Sequence, residues 1–524
     1  MATPKLARIG GSKVRSGCIT CKRRHLKCDE GKPSCQRCIR SKRECKGYVD
    51  LVKSAKPSRK GQAFVVYVPE PLYTMTSLPD MDWREKRSFN FFRNRTAGEL
   101  AGHFRPELWS RFVLNTAHHE DAIKHAVIAI GGLHELFLCP SPSADPSLLA
   151  FAMQHYGRAM HHVVRLDTSK SARAVDVALT VSVLFACIEI LRKHFASSLS
   201  HIYSGMRILA ELARRSENTP EHYLPRHLLV QMYLRLDTQV MEFGKDGFQA
   251  PPAFAITSVT PIPTTFGDTD EARASFEMCR YQILHFARDV QAAKKKCDSP
   301  SAYLQDLDGR YQVLRQHFNE WVMAFQRMLQ RKRSYDIAGL TLRASSIALD
   351  IILSSCMEHN EMVFDLLTHK FRELLMVSEE IVHAMLQDTR PRKTSKHLGT
   401  TCQDGTRAAS TSTSVYRTEP VISMNLGIVP HLYMAATRCR EPDIRQKSLY
   451  LLKIIKRREG ICDSDTLAAF AEKFVTEEEE RARTQMQGVH SDDKSQIKLH
   501  SSTQIPETVR IPVLQHRPRD LDAI

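Results

Sequence analysis

The sequence predicts an all-α protein: a small cysteine-rich N-terminal domain followed by a large helical domain. Three observations carry that prediction. Apolar residues recur at three- and four-residue steps over most of the chain, as in Ile123, Ala126, Val127, Ile130 and Leu133, or Val177, Val181, Leu184, Phe185, Ile188 and Leu191. No strand-rich stretch and no strand–helix–strand alternation interrupts them. Six of the 14 cysteines fall close together near the start.

Taken in order, residues 1–17 form a basic arm. It lacks the apolar run of a signal peptide. The cysteine-rich domain occupies 18–45. Residues 46–82 read as a linker, interrupted by Pro57, Pro69, Pro71 and Pro79 and kept basic by Lys53, Lys56, Arg59 and Lys60. The helical domain starts at 83 and runs to 387, with later helices predicted near 198–215, 222–243, 269–296, 301–332, 340–357 and 361–387. Residues 388–419 read as a disordered excursion, because Thr389-Arg-Pro-Arg-Lys and Ser410-Thr-Ser-Thr-Ser bring almost nothing to bury. Helical pattern resumes over 420–483. Residues 484–524, with Pro506, Pro512 and Pro518, are predicted to be a disordered tail. The longest candidate for a bilayer span, 174–191, has Asp176 and Glu189 inside it. What lies between them is short of the ~18–20 residues that crossing requires. No membrane partner is expected, and the protein is expected inside the cell.

Charge narrows the function. Lys and Arg number 75 against 58 Asp and Glu, a net of +17. Residues 1–60 hold 18 basic and four acidic residues, so +14 of that excess sits in one short block. Such focused charge points to a polyanionic partner.

The block contains Cys18, Cys21, Cys28, Cys35, Cys38 and Cys45. The spacing C-x2-C-x6-C occurs twice, joined by a connector with Gly31 and Pro33, which suit a turn. A closed zinc site takes four ligands in a tetrahedron. Two separate sites would need eight, and His25 is the only histidine nearby. Two zinc ions sharing two thiolates, one from each half, satisfy the count. RING and LIM modules use eight ligands at other spacings. An iron–sulfur cluster uses four cysteines and leaves the duplication unexplained. A disulfide framework is disfavoured in a reducing compartment.

Between Cys21 and Cys28 lie Lys22, Arg23, Arg24, His25, Leu26 and Lys27; between Cys38 and Cys45 lie Ile39, Arg40, Ser41, Lys42, Arg43 and Glu44. A short helix beginning near each C-x2-C can present its N-terminal end to a phosphate or a groove. The first half is denser in Arg and Lys and reads as the base reader, the second as the phosphate grip. Candidate DNA contacts are Lys22, Arg23, Arg24, His25, Lys27, Arg40, Lys42 and Arg43. The basic run also suits nuclear import.

The stretch Arg15-Ser-Gly-Cys-Ile-Thr-Cys-Lys-Arg-Arg-His-Leu-Lys-Cys-Asp-Glu-Gly-Lys-Pro-Ser-Cys-Gln-Arg-Cys resembles the fungal binuclear zinc cluster of transcription factors. The resemblance implies that the first and fourth cysteines, Cys18 and Cys35, bridge two Zn2+ ions. One ion would use Cys18, Cys21, Cys28 and Cys35, the other Cys18, Cys35, Cys38 and Cys45. It also implies base contacts from Arg24 and His25, with His25 standing where Lys or Arg is usual, and a preference for CGG-type sites in double-stranded DNA. A looser resemblance, to the fungal-specific helical middle domain, spans about 83–480. It is carried by Phe91-Phe-Arg-Asn-Arg-Thr, Ala126-Val-Ile-Ala-Ile-Gly-Gly-Leu-His-Glu, Leu234-Arg-Leu-Asp-Thr-Gln and Arg457-Arg-Glu-Gly, and it implies a regulatory role for the helices.

The expected function is a nuclear, zinc-dependent, sequence-specific regulator of RNA polymerase II transcription that engages the transcription machinery and is not an enzyme. Family habit points to a metabolic or secondary-metabolite gene cluster as its target. The alternative is a helical small-molecule-binding or scaffold protein that uses the zinc cluster as a nucleic-acid tether. No Gly-rich phosphate loop, H-E-x-x-H or G-x-S-x-G is present. His118-His119 and His161-His162 are adjacent pairs, which point to different helix faces and do not make a metal site. Asp121, Glu135 and Glu189 have no evident partner. The run Glu477 to Glu480 reads as the solvated end of a 464–483 helix, with coactivator recruitment as the alternative. Residues 46–80 lack heptad spacing, so any homodimer is expected to form through the helical domain.

Overall fold

The computed structural model describes residues 18–45 (apart from 25, 27, 30, 32 and 33), 81–138, 146–166, 171–215, 225–243, 261–295, 301–331, 336–387, 419–487 (apart from 426) and 501–511. The side chains at 22, 23, 213–215, 243, 295, 301–304, 487 and 503 also lie outside the description. The chain divides into two compact units, residues 1–75 and 76–524.

In the first unit, α1 (Ile19–Arg23) and α2 (Gln36–Arg40) each open one residue after the leading cysteine of a C-x2-C pair. The sequence repeat is also a structural repeat. The amide of Leu26 bonds the carbonyl of Cys21 at 3.1 Å, and 17 positions on the amide of Arg43 bonds the carbonyl of Cys38 at 3.0 Å. At α2 the amide of Lys42 adds a bond to the carbonyl of Ile39. The two bonds make a left-handed helix stop in which Lys42, at φ 49°, takes the position glycine usually fills.

Among the described residues, the second unit holds sixteen α-helices, two of them preceded by π-helical turns. The first group comprises α3 (Trp83–Phe91), continued through a π-turn into α4 (Ala97–Ala101), then α5 (Leu114–Ala117), α6 (Asp121–Leu138), α7 (Pro146–Val164), α8 (Ala172–Leu191) and α9 (Phe195–Arg215). Asp82 and Glu85 close a capping box at the start of α3. α6 is the hub, packed by α3, α5, α7 and α8. A Cβ at Gly131 of α6 would stand 2.1 Å from the Ser88 carbonyl of α3. Only glycine lets those two backbones meet. α8 is apolar all round, which suits a helix with neighbours on every side.

A second group follows: α10 (Arg226–Phe243), α11 (Thr269–Lys295), α12 (Ser301–Arg331) and α13 (Ile337–Ser355). Its core centres on Trp321, flanked by Phe266, Phe276, Phe318 and Phe325, with the indole N–H donating to the Ala272 carbonyl at 3.1 Å. By length and composition α8 and α13 could each cross a bilayer, yet 89% and 67% of their apolar windows are buried inside the protein.

The third group holds α14 (Val363–Leu366), α15 (Thr368–Gln387), α16 (Val429–Arg438), α17 (Pro442–Ile454) and α18 (Ser464–Gln487). The predicted 361–387 helix is therefore split at Leu367, and the 222–243 helix starts only after Pro225. A small sheet also appears where helix was expected. β1 (Val421–Ser423) pairs in parallel with β2 (Arg457–Glu459), Val421 opposite Arg457, and β2 turns back on β3 (Cys462–Asp463). Gly460, at φ 58°, makes that turn. Strands of two or three residues carry too little periodicity to be seen in sequence.

The predicted tail contains a packed segment. Ile505 and Val509 seat on Ala482, and Ile511 on Phe474 and Val475. Arg510 reaches back to Asp365 at 2.6 Å.

Candidate metal centre and nucleic-acid interface

Five of the six clustered cysteines are buried, and Cys45 is half-buried. Two symmetric sets of backbone bonds aim their sulfurs inward. The amides of Cys21 and Cys38 each reach the sulfur three residues before them, both at 3.4 Å. The amides of Cys18 and Cys35 reach the sulfurs of Cys28 and Cys45 at 3.4 and 3.5 Å. Four of the six sulfurs, those of Cys18, Cys28, Cys35 and Cys45, are thus held by a backbone amide.

The sulfurs form two tetrads, Cys18–Cys21–Cys28–Cys35 and Cys18–Cys35–Cys38–Cys45, each with its ligand atoms within 4.8 Å of one another. Cys18 and Cys35 belong to both. Their sulfurs are 3.6 Å apart, with Cys18–Cys38 at 3.8 Å and Cys21–Cys35 at 3.7 Å. A disulfide would need about 2.05 Å. Zinc–sulfur bonds of about 2.3 Å in a tetrahedron set sulfur–sulfur edges of about 3.8 Å. The separations fit the second case, so the six cysteines can hold two zinc ions. Burial raises the thiols of Cys18, Cys21, Cys35 and Cys38, so metal-free thiols hold their protons and zinc must displace them.

The connector does more than turn. The Asp29 carboxylate accepts from the amides of Gln36 at 2.8 Å and Arg37 at 3.1 Å, capping α2 from the other half of the repeat. The Arg37 and Gln36 amides hold its carboxyl below the usual range. Thr20 donates to the Glu44 carbonyl at 3.0 Å and Arg24 to the Ser41 hydroxyl at 3.2 Å. Four bonds from three side chains therefore hold the second half, two from the Asp29 carboxylate of the connector and one each from Thr20 and Arg24 of the first half. Cysteine spacing does not show them.

Of the candidate DNA contacts, Arg40, Lys42 and Arg43 are exposed around the end of α2, and Arg24 is half-buried against Ser41. Arg37, not among those candidates, is equally exposed. Lys22 and Arg23 lie on α1, but their side chains lie outside the described residues, as do His25 and Lys27 altogether.

In the helical unit, the acids read as unpartnered are paired. Glu135 meets Arg87, Asp121 meets Lys124, and Glu189 lies 3.0 Å from Arg192 and 3.3 Å from His194. Glu478 is no solvated helix end: it is buried between Arg440 and Arg445. His134 sits between Thr96, at 2.8 Å, and Glu99, at 3.2 Å. The order resembles a nucleophilic triad, but Thr96 and His134 are both wholly buried.

The six-sulfur, two-metal arrangement, the basic surface beside it and the large helical remainder agree with the zinc-cluster resemblance of the sequence. Residues 16–54 match the fungal Zn(2)-Cys(6) binuclear cluster domain. The chain is 24% identical to the aspercryptin biosynthesis cluster-specific transcription regulator of Emericella nidulans, over 89% of this chain and 88% of that protein. It is 28% identical to the transcription regulator lscL of Purpureocillium lilacinum, over 45% of this chain and 58% of that protein. White-opaque regulator 2 of Candida albicans is 53% identical, over 10% of this chain and 11% of that protein. No solved structure matches. The chain thus carries a fungal Zn(2)-Cys(6) binuclear cluster domain at residues 16–54 and is similar over most of its length to a cluster-specific transcription regulator.

Proposed function

We propose that this protein acts in the nucleus as a zinc-dependent activator or repressor of a biosynthetic gene cluster. The proposal for DNA is that Cys18 and Cys35 bridge the two ions. Lys22, Arg23, Arg24, His25 and Lys27 read bases in a CGG-type site, while Arg40, Lys42 and Arg43 grip phosphates. Phosphate contacts position the domain and base contacts specify the sequence. The observation that carries this reading is the two-tetrad cluster with its exposed cationic helix end. The gene-cluster assignment rests on the E. nidulans regulator, whose match runs through the helical unit as well.

The helices serve regulation, contact with the transcription machinery and any homodimerisation, and carry no catalytic activity. Support for the last point is that the long relatives are transcription regulators. The test is selection of bound DNA from a random pool by the full chain, with transcript profiling of a deletion strain. A shared CGG-type motif upstream of co-regulated biosynthetic genes is the expected result. Binding without sequence preference would overturn it.

A further inference from the structure

Away from the cysteines, one more set of metal-ligating side chains converges among the described residues. Glu85 on α3, His125 on α6 and His155 on α7 each offer one ligand atom, and the three atoms lie within 4.8 Å of one another. Nδ1 of His125 stands 3.0 Å from Nδ1 of His155. Nε2 of His155 stands 3.5 Å from Oε1 of Glu85. His155 is buried, while His125 and Glu85 are half-buried, so the group is held in place yet reachable from solvent.

Neighbouring contacts orient the group. Oε2 of Glu85 accepts from the Asp82 amide at 2.9 Å in the capping box of α3. That bond turns Oε1 toward the histidines, where Nη1 of Arg158, at 3.7 Å and half in solvent, is the competing cation. Phe151 packs on the His155 ring at 4.5 Å. The His162 ring lies 5.7 Å from that of His125 and is a further nitrogen donor nearby.

We propose that Glu85, His125 and His155 form a binding site for a divalent transition metal of the zinc type, separate from the cysteine cluster. Two imidazoles and one carboxylate are a borderline donor set, suited to zinc and unsuited to calcium or magnesium, which take oxygen ligands. Three protein ligands leave the fourth position of a zinc ion to water. An ion here would tie α3 and α7 to the hub helix α6, so the stability of the helical unit would follow free zinc by mass action.

The test is equilibrium dialysis of the full chain in zinc buffers, counting bound zinc in the wild type, His125→Gln and Glu85→Gln. Glutamine at 85 keeps an oxygen for the capping box, so that variant retains its fold while losing the carboxylate. Each variant is expected to bind one equivalent fewer than the wild type, and added zinc is expected to raise the unfolding temperature of the helical unit in the wild type alone. Equal zinc content in all three proteins would overturn the site, and loss in only one variant would overturn the three-ligand assignment.

Discussion

Arg440 and Glu478 meet with neither side chain open to solvent: Nη2 of the arginine lies 2.9 Å from Oε1 of the glutamate. Arg445 holds the other oxygen, Oε2. Glu361 supports Arg440 at 3.2 Å, and the amide of Ile511 donates to Oε1 of Glu478 at 3.0 Å. One carboxylate thus joins the α16–α17 connection, α17, α18 and the C-terminal segment.

Glu478→Ala should destabilise the helical unit by about 3–5 kcal/mol, because it strands two buried cations. Glu477→Ala, next door, removes only a surface pair with Arg481 and should cost about 0.5 kcal/mol or less. Urea unfolding compares the two, and equal losses would refute the core assignment of Glu478. Burial alone would raise the Glu478 carboxyl, but the arginines bring it down from 4.5 to about 2. With the folded value below the unfolded one, its contribution is complete above about 4.5 and is lost as pH falls toward 2. The stability gap between wild type and Glu478→Gln should therefore shrink only below that upper value.

The shared positions in the cluster predict an unequal pattern of metal loss. Cys18→Ala or Cys35→Ala should disturb both ions, since those sulfurs belong to both tetrads. Cys21→Ala and Cys45→Ala should each strike one ion first. Native mass spectrometry reads the count. Loss of both ions from Cys45→Ala at the same zinc level as from Cys18→Ala would remove the shared-thiolate arrangement. Zinc uptake by the reduced apo-protein should release protons, measurable by titration in a weak buffer.

Arg24, proposed to read a base, also bonds Ser41 across the cluster. Arg24→Ala should lose roughly 1–3 kcal/mol of discrimination at one base position. Arg43→Ala should weaken all sequences alike and reduce the salt dependence. The bond from Arg24 to Ser41 adds a finer expectation. Ser41→Ala leaves the charge in place but frees the guanidinium, so affinity should persist while discrimination falls. Fluorescence anisotropy over single-base variants of the site decides. Equal loss on specific and random DNA for Arg24→Ala would move that residue to the phosphate class.

The cluster was legible because its chemistry is local: six ligands at fixed spacing, repeated after 17 residues, leave few stoichiometries. The helices were legible wherever an apolar stripe ran for several turns, as along α6 and α8. What stayed hidden depends on contacts between distant residues. His125 and His155 lie on different helices, and nothing in sequence marks them as neighbours. Glu478 looks like one more acid in an acidic run, because its arginines come from α17 and the loop before it, more than thirty residues away. The stretch Arg457-Arg-Glu-Gly stood out in sequence. In the structure Arg458 both pairs with Asp463 at 3.0 Å and caps the end of α8 through the carbonyls of Ile190 and Leu191.

Assembly is the last expectation. Proline in a helix interior costs about 3 kcal/mol, and Pro57, Pro69, Pro71 and Pro79 punctuate the segment after the cluster. A coiled coil needs apolar a and d positions over ~3–4 heptads, which those prolines preclude. Residues 46–80 lie outside the described residues, and the next described helix, α3, starts at Trp83. Residues 1–80 should therefore bind a single half-site as a monomer, with no preferred spacing on two-site DNA. Dimerisation of the full chain should depend on residues beyond 83. A tether without a fixed coil should then accept several half-site spacings, because linker length changes effective concentration only gradually. Analytical ultracentrifugation of 1–80 and of the full chain, each with one- and two-site DNA, separates the cases. Cooperative dimeric binding by 1–80 at one fixed spacing would show that the pairing element lies in the linker after all.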